Sequence, residues 1–130
     1  MEITFRATEI GSYEDRGQLI CGASNFKDAA AEYHYITLGL PSREGGPGAQ
    51  PTELRVEIDN EAERRHYSVM SCLISPSAWR ILFREKSDDQ EPLSVMVQHS
   101  MAPEAYREFV QSLGALFAGR TQDLQVGDRL

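Results

Sequence analysis

One face of one helix constrains this chain more than any other feature. From Pro103 to Ala118 the apolar residues Tyr106, Phe109, Val110, Leu113, Leu116 and Phe117 recur at i, i+3, i+4, i+7, i+10 and i+11. That is a single stripe at 3.6 residues per turn. A stripe this wide is stable only when buried, and the residues before it read as short alternating strands, which must supply the covering surface. Pro103 suits the first helical position, where a missing N–H costs nothing. Glu104 and Glu108 lie toward the positive end of the helix dipole. Met101 is placed to staple onto Tyr106. Gly119 is expected to end the helix in a left-handed cap. Gly114 inside the helix costs about 1 kcal/mol relative to alanine.

The strands follow from two-residue alternation. Residues 2–10 place Ile3, Phe5 and Ala7 on one face. A polar turn from Gly11 to Gly17 leads into a second strand at 18–24, with Leu19, Cys21 and Ala23 inward, and the two are expected to pair as a hairpin. Residues 25–32 are too short for an independent helix, although Asn25 could cap a helical turn. A third strand covers 33–40, with Tyr33, Tyr35 and Thr37 opposite His34, Ile36, Leu38 and Leu40. Pro41 to Pro51 holds three prolines and three glycines and reads as a loop. The fourth strand, Thr52 to Asp59, turns Leu54, Val56 and Ile58 inward and Glu53, Arg55, Glu57 and Asp59 outward. A fifth strand runs from His66 to Ile74, apolar on both faces and therefore expected centrally. Trp79, Ile81 and Phe83 share one face of a sixth strand, and Leu93 to Gln98 is a seventh. The fold class is therefore α+β: a mostly antiparallel sheet of about seven strands with one C-terminal amphipathic helix packed on a face. Residues 1–119 form one domain and 120–130 a polar tail.

Charge narrows the possible partners. Across 130 residues the formal net charge is −7, and the cations are eleven arginines plus Lys27 and Lys86. A balance this acidic argues against nucleic acid, whose phosphates need clustered cations. No apolar run reaches the length of a membrane span, and the first residues lack the pattern of a secretory signal. A cytoplasmic protein is expected, with no membrane partner. Cys21 and Cys72 are too few for a disulfide framework and read as buried free thiols.

The sequence carries no specific catalytic motif. His34, His66 and His99 lack the short spacings of zinc sites, so no metal is expected, and no cofactor either. Neither cysteine has a local signature pairing it with a histidine. No GxSxG elbow is present, and Gly45-Gly46-Pro47-Gly48 lacks the Lys-Ser/Thr of a phosphate loop. Carboxylates are the one abundant group. Glu53, Glu57, Asp59, Glu61 and Glu63 gather along the fourth strand and its turn, and Asp88, Asp89 and Glu91 form a second acidic loop. They read either as a solvated face, partly neutralised by Arg55, Arg64 and Arg65, or as a surface that meets a basic protein.

From Tyr33 to Phe83 the chain resembles the bacterial immunity proteins of polymorphic toxin systems, the family catalogued as immunity protein ten. The resemblance rests on Glu32-Tyr33-His34-Tyr35-Ile36-Thr37-Leu38, then Leu54-Arg55-Val56-Glu57-Ile58-Asp59-Asn60-Glu61, then His66-Tyr67-Ser68 and the strand pair Ser71 to Ile74 and Trp79 to Phe83. It implies a non-enzymatic cytoplasmic protein that binds and blocks one cognate toxin, and it carries no residue-level site. Two other functions suit the same traits. A secretion chaperone is also small, acidic and α+β, and a helix at residues 1–12 would favour it. A small enzyme or ligand-binding domain would place a pocket between helix and sheet, lined by Trp79, Tyr33 and Tyr35, which otherwise read as core. No residue chooses between a monomer and a homodimer.

Overall fold

The computed structural model describes residues 2–39, 54–59, 67–85 and 92–127. The elements run β1 (Glu2–Arg6), β2 (Glu9–Asp15), β3 (Gln18–Ser24), β4 (Tyr35–Gly39), β5 (Arg55–Ile58), β6 (Tyr67–Ile74), β7 (Ala78–Glu85), β8 (Leu93–Gln98), α1 (Pro103–Leu116) and β9 (Leu124–Val126). The fold is α+β and mostly antiparallel, with the helix where the sequence places it. The strands differ from expectation in number and grouping. Among the described residues there are nine, in two sheets: a five-stranded sheet ordered β1-β8-β7-β6-β9 and a four-stranded sheet ordered β2-β3-β4-β5.

The division arises at Ala7–Thr8. The Ala7 N–H donates to Gln98 O in the first sheet, and the next N–H, that of Thr8, donates to Ser24 O in the second. The inward phase slips at the same point, from Ile3, Phe5 and Ala7 to Ile10 with Glu9 exposed between them, so one expected strand becomes two. β1 then lies parallel to β8, and β2 joins β3 as an antiparallel hairpin. The polar turn shrinks to Arg16-Gly17, both at positive φ (52° and 78°), as a two-residue primed turn requires.

β6 carries a bulge between Val69 and Ser71. The extra residue reverses the alternation, so Val69 shares the buried side with Cys72 and Ile74. β4, β5 and β7 keep the faces read from sequence, and β8 turns Leu93, Val95 and Val97 inward: Ile36, Leu38, Ile58, Trp79, Ile81, Phe83, Val95 and Val97 are buried with Leu54 in one continuous core.

The helix closes that core with Phe109, Leu113 and Leu116, followed by Phe117. It meets both sheets. Phe109 sits edge-on to fully buried Trp79 of β7, with ring centroids 5.1 Å apart. Ser112 donates a 2.8 Å hydrogen bond to Ser12 of β2. The expected left-handed cap at Gly119 is not formed, since among the described residues positive φ occurs only at Arg16, Gly17 and Asp59. Instead Phe117 N–H bonds to Leu113 O and Arg120 N–H to Phe117 O.

Residues read as a polar tail are built into the fold. A 3₁₀ turn at Thr121–Asp123 leads to β9, which pairs in parallel with Cys72–Ile74 of β6. Arg120 fixes this segment by donating to Val69 O and pairing with Asp123 at 2.8 Å.

Candidate functional site

Of the eight carboxylates singled out, Glu53, Glu61, Glu63, Asp88, Asp89 and Glu91 lie outside the described residues. The other two face different ways. Glu57 is exposed on β5, as its alternation requires. Asp59 is not on that face. β5 ends at Ile58, and Asp59 adopts the left-handed conformation (φ 51°), which breaks the alternation and turns the side chain back onto β4. Its Oδ1 accepts from Tyr35 N–H at 2.8 Å and its Oδ2 lies 2.7 Å from His34 Nδ1. Its own N–H donates to Tyr35 O. Asp59 is thus an internal tie between β5 and the start of β4.

The chain leading into β4 is closed by Asn25, which is almost fully buried. Its side-chain carbonyl accepts from His34 N–H at 2.7 Å, and its side-chain amide donates to Glu32 O at 2.7 Å. A side chain bonded to the far end of a loop cannot cap a helix at the near end. Residues 26–31 accordingly form successive turns, with Asp28 N–H on Asn25 O, Ala31 N–H on Asp28 O, and Asp28 Oδ1 accepting from Ala30 N–H at 3.2 Å.

This closure puts three aromatic rings on the surface. Phe26 meets Tyr33 edge-on with centroids 6.1 Å apart. Tyr33 lies 5.7 Å from Tyr35. Phe26 is 70% exposed and Tyr33 51%. An open concavity of about 370 Å³ is lined by Asn25, Phe26, Asp28, Ala29, Ala31 and Tyr33. Beside the ladder, His34 stands between Asp59 and Glu32 (3.8 Å) with Phe5 stacked on its ring at 5.7 Å. The alternation of Tyr33 and Tyr35 is visible in the sequence, but the fold-back that brings Phe26 beside them depends on Asn25 bonding nine residues ahead. Trp79 is core, as expected, but Tyr33, read as core with it, is at the surface because the Asn25 closure turns it outward, and the cavity that the ligand-binding alternative would line with Trp79, Tyr33 and Tyr35 is not formed by them.

The remaining titratable groups are structural. His99 is buried, with Nε2 2.9 Å from Ser75 O and Nδ1 accepting from Met101 N–H at 3.3 Å. The carbonyl can only accept, so Nε2 carries the proton. Burial lowers its pKa below the ordinary 6.5, the Ser75 hydrogen bond opposes that, and Arg6 adds to it. Burial pushes the Cys21 and Cys72 thiols up to about 12, and Cys72 Sγ accepts from the Trp79 indole at 3.1 Å. Thiols held protonated in this way are poor nucleophiles. His66 lies outside the described residues. Among those described, no three His, Cys, Asp or Glu side chains gather as metal ligands, and no helix is long and apolar enough to cross a membrane.

Comparison with protein-family models, curated proteins and solved structures finds no match to this chain.

Proposed function

We propose that this chain is a non-enzymatic, toxin-neutralising protein of the immunity type, acting in the cytoplasm by binding one cognate toxin domain through the face built from residues 25–35 and β5. The observation that carries the reading is the Phe26–Tyr33–Tyr35 ladder. Two of its rings are among the few large apolar side chains left exposed among the described residues. Aromatic side chains supply much of the binding energy at protein interfaces. The net charge of −7 and exposed Glu57 suit a basic partner, and the resemblance between Tyr33 and Phe83 names the class of partner.

The alternatives lose their supporting features. Residues 2–15 form β1 and β2, where the chaperone reading looks for a helix. The pocket reading looks for a histidine of shifted pKa in a deep cavity, but the concavity is open and neither His34 nor His99 lines it.

The test is co-expression with the product of the adjacent gene in the genome that encodes this chain. Restored growth against a toxic neighbour, together with co-purification of the pair, is expected. Measurable turnover of a small substrate with no protein partner would overturn the reading.

A further inference from the structure

Phe26 and Tyr33 form an exposed edge-to-face pair at the mouth of a concavity that also contains a carboxylate. Asp28 is held there by one oxygen, since Oδ1 accepts from Ala30 N–H. That bond restrains the carboxylate, which lines the same concavity as the aromatic pair. Glu32 is strongly exposed but does not line the concavity, since its carboxylate is turned to His34 at 3.8 Å. The one cation in this stretch, Lys27, is turned to Glu9 at 3.1 Å, so it does not satisfy Asp28. Aromatic faces next to fixed carboxylates attract a flat, weakly hydrated cation. Guanidinium fits better than ammonium, because it stacks on rings and bonds carboxylates with two N–H groups at once.

We infer that this concavity seats an arginine side chain of the protein partner, its guanidinium stacked on one ring of the Phe26–Tyr33 pair and neutralised by Asp28. The inference rests on the partner-binding reading above and specifies what that partner must present. Nucleic acid bases also stack on aromatic rings, but phosphates would meet the Asp28 carboxylate here and, among the described residues, no lining cation. An anionic membrane surface is disfavoured for the same reason.

The full chain, labelled with ¹⁵N, is titrated with acetyl-Gly-Arg-Gly-amide and followed by its amide resonances. The lysine and citrulline peptides and a short oligothymidylate serve as comparisons. The arginine peptide is expected to shift amides confined to residues 25–35, to bind more tightly than the lysine peptide, and to outcompete the uncharged citrulline peptide. Phe26→Ala and Tyr33→Ala, both on exposed rings, are each expected to weaken it about two- to fivefold. Asp28→Asn keeps the acceptor for Ala30 N–H and removes only the charge, so it too weakens binding while the fold remains. Several results would overturn the inference: shifts spread over the whole acidic surface, equal binding of arginine and lysine peptides, no response to the three substitutions, or the same amides moved by oligothymidylate. A failed titration with co-purification of the toxin intact removes only the arginine seat. Failed growth rescue with a positive titration removes the toxin-neutralising reading instead.

Discussion

Asp59 ties β4 to β5 through three hydrogen bonds, two from its carboxylate and one from its backbone N–H. Asp59→Ala removes the side-chain acceptors of Tyr35 N–H and His34 and puts alanine at φ 51°, so we expect a loss of about 1–3 kcal/mol in urea unfolding. Asp59→Asn tolerates the left-handed backbone and retains an acceptor for Tyr35, and the expected loss is smaller. Arg16 is strained in the opposite sense: it sits at φ 52° with no side-chain reason to do so. Arg16→Asn makes the Asn-Gly pair that two-residue primed turns favour. It should stabilise the chain by up to about 1 kcal/mol in the same assay. Neither position was legible in advance. Asp59 sits in phase with an alternating strand, and only the positive φ shows that the phase ends one residue earlier.

At the level of elements, periodicity was a reliable guide wherever one hydrogen-bonding environment persisted. The stripe on α1 and the alternation of β5, β7 and β8 come from burial of one face, and burial leaves a mark in residue type. The errors fall where backbone geometry changes with little or no change in that mark. At Ala7–Thr8 the chain passes between sheets, and its one trace is a single phase slip, Ala7 to Ile10 with Glu9 exposed between them. Met70 is skipped by a bulge. β9 is three residues long, too short for any pattern. The candidate site shows the same limit: Glu57 follows from alternation, whereas the Phe26 ladder depends on the Asn25 closure. Phe109→Ala on α1 should cost about 3–5 kcal/mol, because Trp79 loses its edge contact and a cavity remains. A chain ending at Ala118 loses the Arg120 bonds and the β9 pairing, and leaves the β6 edge uncovered. We expect a lower Tm and concentration-dependent association in light scattering. An unchanged Tm would show that residues 120–126 contribute nothing.

Across the whole molecule, β3 contributes Cys21 and β6 contributes Cys72, so both sheets bury a thiol in the shared core. Both have folded-state pKa values raised from 9.0 to about 12. In the unfolded chain the thiols ionise first, so their stabilising contribution is complete below pH 9 and is lost as the pH rises toward 12. The slope reaches up to about 1.4 kcal/mol per pH unit for each thiol. A Cys21→Ala variant should flatten that alkaline slope. His99 acts at the acid end. Its lowered pKa means its contribution is complete above 6.5 and is lost as the pH falls below that value. The core is thus held neutral, and the charge of the chain is left to its surface. A stable neutral interior with an aromatic, acidic face is what a capture protein needs, and that face is where the functional reading stands or falls. The most direct measurement is a calorimetric titration of the purified product of the adjacent gene into the wild type and into a Phe26→Ala/Tyr33→Ala variant of unchanged Tm. We expect one-to-one binding to the wild type that weakens by about thirtyfold or more in the variant. Equal affinity for both forms, or no binding to either, would contradict it.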